Sequence, residues 1–242
     1  METIVAEIEH LKKSFGTNCV LKVINLKISK GENLVVLGKS GSGKSVLIKC
    51  LVGLIEPDEG EVLLLGKNIK NLDYAGFNIL RKKMGFLFQS GALYDSMTVR
   101  ENLEFPLRDD KQISKDEIEI LVREALNHVG LEAAIHKMPS ELSGGMRKRV
   151  ALPRFLILKP EIILYDEPTT GLDPITSKEI SRLILDIQKK FNTASIIITH
   201  DVECARITAN RMMIIKDGIF VAEGTFNELS QSQDEWVRSF FE

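Results

Sequence analysis

Six short apolar runs recur along the chain: NLVVLG at 33–38, EVLLLG at 61–66, MGFLFQ at 84–89, EIILYDE at 161–167, ASIIITH at 194–200 and RMMIIKDG at 211–218. Runs of this length, rich in Ile, Val and Leu and separated by segments of helical period, predict strands buried on both faces in a mainly parallel sheet. The first thirty residues differ. In AEIEHLKKSF and VLKVINLKIS apolar and polar positions alternate, which predicts half-exposed antiparallel strands ahead of the core sheet. From Gln89 to Ser140 the texture turns helical. SKDEIEILVREALNHVG sets Ile118, Leu121, Val122, Ala125, Leu126 and Val129 on one helical face, behind a capping box of Ser114 and Glu117. The expected fold is α/β: a mainly parallel core sheet, an N-terminal antiparallel β subdomain and a helical insertion. One domain, 1–242, is expected, with 1–88 and 156–242 forming the core and β subdomain and 89–155 the helical part. No repeat, low-complexity segment or Gly/Ser/Pro-rich linker divides it.

Composition narrows the function classes. A chain of 242 residues can bury roughly 70–75% of its unfolded surface, so a sizeable core is available. Charge is balanced, 32 Lys+Arg against 34 Asp+Glu, which argues against a nucleic-acid binder working by bulk positive field. Cys19, Cys50 and Cys204 are an odd set without C-x-x-C spacing, so neither a disulfide framework nor a zinc site is expected, and a reducing cytoplasm fits. The start, METIVAEIEH, carries acids where a signal peptide carries a basic end, and no apolar run approaches the roughly 18 residues of a membrane span. A soluble chain is expected, or one that reaches a membrane only through a partner.

The glycines mark the chemistry. Gly38, Lys39, Ser40, Gly41, Ser42, Gly43, Lys44 and Ser45 spell G-x-x-x-x-G-K-[ST] between the strand-like NLVVL and the helix-like VLIKCLVGL that opens at Val46. In that context backbone N–H groups wrap a β-phosphate, Lys44 neutralises β and γ oxygens, and Ser45 ligates Mg²⁺. A metal-bound triphosphate also needs a carboxylate on the metal side and a base for the attacking water. The end of IILYDE supplies both, Asp166 for the first and Glu167 for the second. His200 closes the next apolar run and would sit beside Glu167 if the two strands are neighbours; alone, a histidine there reads as structural, but in company with the phosphate loop and Asp166–Glu167 it is a candidate catalytic residue contacting the γ-phosphate. A second glycine stretch, ELSGGMRKRV at 141–150, is by itself an ordinary helix start with Ser143 as N-cap. Arg147, Lys148 and Arg149 read as a solvated or structural helix face rather than as phosphate ligands.

Phe15, GKSGSGKS, Gln89, LSGGM, IILYDE, GLD and His200 stand in an order and spacing that resembles the ATPase subunits of ABC transporters over essentially the whole chain. The resemblance implies a P-loop NTPase fold of ABC type, with ATP and Mg²⁺ as ligands. It implies that Phe15 stacks on adenine, keeping the π face of the usual Tyr, and that Gln89 touches Mg²⁺ and the attacking water and senses the membrane partner. Asp173, in GLDP, would lie on the loop that crosses to another subunit's site. Ser143, Gly144 and Gly145 would cap the γ-phosphate held by a second copy, with the helix N-terminus as the anion site. Each chain would then carry two half-sites, completed in a two-fold homodimer glued by two ATP molecules.

Within that family MGFLFQSGALYDSMTVRENLEFPLR, ELSGGMRKRVAL and EIILYDEPTTGLDPITS look most like the ATPase of Mla-type phospholipid transporters, which partner permeases and lipid-binding proteins of the MCE class. Met146 in place of the usual Gln, and Ser90, Gly91, Ala92 and Leu93 after Gln89, support that group. The resemblance implies a peripheral place on the cytoplasmic face of the cell membrane, with Leu93 to Met97 either receiving the permease's coupling helix or packing as ordinary core. The end at DEWVRSFFE implies a C-terminal extension absent or much reduced. Another ABC importer or exporter, or a non-transport ABC ATPase, is the alternative. A DNA-repair ATPase would need a long coiled-coil insertion, a translation-associated one two motif sets in one chain, and a phosphotransferase would lack the LSGG stretch. Pro153 falls inside the helix that Ser143 starts, where relatives carry Ala. The helix is expected to bend there rather than end, with Phe155 filling the space a bend opens.

Overall fold

The computed structural model describes residues 3–89, 91–108 and 113–242. Two long strands open the chain, β1 (Ile4–Phe15) and β2 (Asn18–Ser29), paired antiparallel from Ile4↔Ser29 to Phe15↔Asn18. The apolar positions of their alternation, Ile8, Leu11, Leu21, Ile24 and Ile28, turn inward and are buried. β3 (Asn33–Leu37) follows, buried at every position, and leads through the glycine loop into α1 (Lys44–Leu51).

β4 (Glu59–Leu64) corrects one expectation. EVLLLG reads as a strand of the parallel core, but it pairs antiparallel with β1, Ala6 opposite Leu64 and Ile8 opposite Val62. Three leucines in a row hide its alternation. Val62 and Leu64 are buried while Leu63 is only half-covered, as in a sheet with one wet face. With the two-residue β5 (Lys67–Asn68), these strands form a four-stranded sheet in the order β2-β1-β4-β5.

The core sheet takes the remaining runs. After α2 (Tyr74–Lys82) come β6 (Met84–Leu87), the helices α3 (Val99–Glu104), α4 (Lys115–Asn127) and α5 (Gly144–Leu156), and then β7 (Ile162–Asp166). α6 (Pro174–Phe191), β8 (Ala194–Thr199), α7 (Val202–Thr208) and β9 (Arg211–Lys216) complete the alternation. The sixth strand, β10 (Ile219–Gly224), forms no continuous apolar run, because exposed and half-covered residues alternate along it, and it pairs antiparallel at the edge. The order is β10-β9-β3-β8-β7-β6, parallel from β9 to β6. Short helices α8 (Phe226–Ser230) and α9 (Glu235–Arg238) close the chain, α9 inserting Val237 into the core below the sheet.

Two hydrophobic cores flank the main sheet, and a third joins α3, α4 and part of α5 through Val99, Leu103, Val122, Leu126 and Val150. The capping box of Ser114 and Glu117 opens α4 as expected. α5 does not end at Pro153; it runs through to Leu156. Phe155 lies against β6 at Gly85, where a Cβ would overlap the ring, with Tyr165 of β7 6.5 Å away between centroids. Among the described residues no helix is long and apolar enough to cross a membrane.

Candidate functional site

Parallel strands deliver their C-terminal ends to one edge, and the glycine loop leaves β3 there. Gly43 caps α1 at φ +105°, a conformation closed to most side chains; a Cβ would also press on Leu21 at 2.8 Å and the Val20 carbonyl at 3.0 Å. No side chain caps the first N–H groups of α1, so they remain donors at a helix N-terminus, the requirement for holding phosphate. Lys44 Nζ donates to the carbonyls of Gly38, at 2.7 Å, and Lys39, at 3.0 Å, and keeps a third N–H for the cleft. Burial lowers its proton affinity, while Glu167 and Asp166 oppose the shift. The Ser42 hydroxyl is buried without a partner, against the position a Gly38 Cβ would take.

The cleft has a volume of about 490 Å³ and is lined by Lys39, Ser40, Gly41, Gly43, Lys44, Ser45 and Val46, faced by Gln89, Glu167, Thr170 and His200. β7 and β8 are neighbours, so the expected meeting of Glu167 and His200 occurs: Glu167 Oε2 lies 2.9 Å from His200 Nδ1. The same oxygen accepts from Thr170 Oγ1 at 3.0 Å, and the Glu167 N–H donates to the Ile198 carbonyl at 2.8 Å. Glu167 itself adopts φ +52°, the left-handed region that non-glycine residues rarely occupy, so tertiary contacts must hold it.

Asp166 ends β7 with Oδ1 buried and without a hydrogen-bond partner. Burial and the neighbouring Glu167 push its carboxyl above the ordinary range, against the pull of Lys49, Lys44 and the Ser45 hydroxyl. A lone buried carboxylate oxygen beside a serine hydroxyl is the donor chemistry of a hard divalent cation, so Asp166 and Ser45, with Gln89 facing the cleft, fit Mg²⁺.

Other expected residues lie elsewhere. Phe15 ends β1 at the hairpin turn, 49% exposed, with Lys13 Nζ 5.5 Å from its ring centroid, and it does not line the cleft; Val20 of the same hairpin does. Ser143 caps α5, accepting from the Met146 N–H at 3.2 Å. Gly145 admits Thr176 of α6 where a Cβ would stand 2.5 Å from its methyl, and Gly144 borders Leu172. Asp173 caps α6, accepting from the N–H groups of Ile175 and Thr176 at 3.0 Å each. These interactions, led by the Thr176 hydroxyl, hold its carboxyl below the ordinary range. Ser143, Gly144, Gly145 and Asp173 thus form one surface at paired helix starts, apart from the cleft lining.

Of the three basic residues after it, Arg147 bonds the Leu142 carbonyl, Arg149 pairs with Glu179, and Lys148 is buried. Beyond Gln89, Gly91 is buried and Leu93 half-buried, whereas Tyr94 is exposed, its ring tilted against Phe105 at 4.7 Å and under Arg154 at 4.4 Å; Ser90 lies outside the described residues. The segment therefore divides between core and surface. Thr170 lines the cleft with no signal in the sequence: it sits three positions after Glu167 in PTT, and only the fold turns it back.

Residues 21–170 match the family described as ABC transporter. A Haemophilus influenzae protein described as the intermembrane phospholipid transport system ATP-binding protein MlaF is 39% identical over 240 residues, 99% of this chain and 91% of its own length. A Mycobacterium leprae protein described as a probable ribonucleotide transport ATP-binding protein is 40% identical over 237 residues, 98% of this chain and 68% of that one. Among solved structures, a dimeric ATP-binding cassette in a post-hydrolysis state with ADP and Pi superposes with a TM-score of 0.83 at 33% identity, over 91% of this chain and 98% of its own. A phosphate loop facing a strand-end Asp-Glu pair, on a chain matched so nearly end to end, identifies an ATP-binding, ATP-hydrolysing subunit: the chain belongs to the ABC transporter family.

Proposed function

We propose that this chain drives phospholipid transport as a homodimer that closes on two ATP molecules, bound to an integral membrane permease partnered by an MCE-domain lipid-binding protein on the cytoplasmic face of the cell membrane. The observation that carries the chemistry is the Glu167 carboxylate, fastened at one oxygen by His200 and Thr170 and facing the phosphate loop across the cleft. The lipid reading is supported by the 39% identity to MlaF over nearly the whole chain.

Backbone N–H groups of the loop and of the α1 start bind the phosphates, and Lys44 offers its free N–H to the γ oxygens. Glu167 orients a water and takes its proton while His200 keeps the carboxylate aimed. Mg²⁺, held by Ser45, Asp166 and Gln89, would neutralise phosphate charge. Phe15 stacks on the base from the β1–β2 hairpin. Ser143, Gly144, Gly145 and Asp173 serve the partner copy's γ-phosphate. Residues 89–155 act as the helical part of a single domain and carry Gln89 and the Tyr94 surface toward the permease.

Glu167→Gln keeps shape and ATP affinity but removes the base. Turnover should fall by about 10²-fold or more while an ATP-bound dimer accumulates on size exclusion; normal turnover would remove Glu167 from the mechanism. Affinity purification from the native membrane should bring down a permease and an MCE-type protein. Recovery with a nucleotide, amino-acid or metal-ion permease instead would overturn the lipid reading and leave the ATPase untouched.

A further inference from the structure

Two lysines are buried among the described residues, Lys44 and Lys148, and the reaction as drawn uses only the first. Lys148 sits in the middle of α5, 6% exposed, with Nζ donating to the Thr170 carbonyl at 2.7 Å and the Glu167 carbonyl at 3.3 Å. Burying an ammonium is costly, and packing alone would be served as well by an apolar side chain, so the charge has to serve the groups it meets. Those groups are the two ends of one turn. The Thr170 N–H also closes on the Glu167 carbonyl, at a long 3.3 Å, and the Thr170 hydroxyl reaches the Glu167 carboxylate. Glu167 holds its left-handed backbone inside this turn. Burial draws down the proton affinity of Lys148, and the nearby Glu167 and Cys204 oppose that shift, which places the ammonium in the field of the same carboxylate.

We propose that Lys148 is a positioning residue for hydrolysis: it pins the 167–170 turn so that the Glu167 carboxylate faces the cleft, and it acts on the reaction only through Glu167. The inference rests on Glu167 being the base. Because Ser143 caps the same helix, α5 also joins the LSGG end to the chain's own 167–170 turn.

Lys148→Met keeps the apolar stem and removes the donors. In the full-length protein, kcat should fall roughly 10- to 100-fold, as a small misplacement of a reacting group produces. KM for ATP and the affinity for a fluorescent ATP analogue should stay within about twofold. Lys148→Arg, which restores donors, should recover part of kcat. A double-mutant cycle separates positioning from general damage: in a Glu167→Gln background, Lys148→Met should leave the residual single-turnover rate unchanged. Wild-type kcat in folded Lys148→Met, or losses that multiply in the double variant, would overturn the proposal. If Lys148→Met gives no cooperative melt, Lys148→Gln carries the test, since its shorter amide cannot span both carbonyls: lowered kcat at unchanged KM supports the proposal and wild-type kcat overturns it. Wild-type turnover in Glu167→Gln itself would instead sink the assignment of the base, and this inference with it.

Discussion

Asp166 sets stability against chemistry at a single side chain. Its Oδ1 is buried without a partner, and burial plus Glu167 raise its carboxyl above the ordinary range. A carboxyl raised in the folded state favours folding while protonated, so that contribution is whole below the unfolded pKa and is lost as pH rises through the folded value. Asp166→Asn removes the penalty. The nucleotide-free variant should melt about 2–4 °C higher at neutral pH, the shift that about 1 kcal/mol gives a chain of this size, and should lose most of the further stabilisation that Mg²⁺ and ATP confer on the wild type. Scanning calorimetry across pH checks both halves; an unchanged or lower Tm would show the carboxylate to be satisfied. Asp166 and Glu167 were legible in the sequence because adjacent carboxylates at the end of an apolar run, downstream of a phosphate loop, have one economical chemical reading. Thr170 and Lys148 were not. Their roles depend on a turn that brings Thr170 back onto Glu167 and on a helix whose buried face reaches two carbonyls, and neither is written in local spacing.

Among the elements, α5 carries the departure from family pattern that was visible beforehand. Pro153 is buried within it and borders a cavity of about 100 Å³ together with Leu121, Ala125, His128, Leu156 and Phe191. Proline in a helix interior costs ~3 kcal/mol. Pro153→Ala would recover part of that and lose two buried methylenes at about 0.8 kcal/mol each, so a net gain of about 1 kcal/mol and a Tm rise of about 2–4 °C are expected. A lower Tm would mean that the ring fills its site better than the helix bond repays. Gly85→Ala should act oppositely: its methyl would overlap the Phe155 ring, and overpacking typically costs about 1–3 kcal/mol. Thermal melts of the two variants and their double mutant measure how far Phe155 adapts. The parallel strands were legible from uninterrupted apolar runs, and α4 from its capping box. β4 and β10 were not, since three consecutive leucines mask one alternation and exposed positions weaken the other, and sheet membership is fixed by partners distant in sequence.

At the scale of the whole molecule, the phosphate loop and the surface proposed as a second anion site do not converge. Ser143, Gly144, Gly145 and Asp173 lie on exposed helix starts, while the phosphate loop faces Glu167 and His200 across the cleft. Beside Asp173, Ile175 is 74% exposed, an apolar side chain on the same surface. The resemblance to ABC ATPases implies two half-sites, and in the fold the Gly145–Thr176 contact packs the start of α5 against α6, apart from the cleft lining. In the proposed arrangement a two-fold partner brings each LSGG surface over the other chain's cleft, and a solved relative is dimeric. Ser143→Arg tests that arrangement because it places a bulky cation at the helix start while leaving the chain's own cleft untouched. The variant should bind a fluorescent ATP analogue as a monomer with wild-type affinity. In a Glu167→Gln background with ATP and Mg²⁺, it should remain monomeric by light scattering where the parent dimerises, and in the otherwise native chain its turnover should be lost. Loss of monomer ATP affinity would instead mean that Ser143 serves the nucleotide of its own chain.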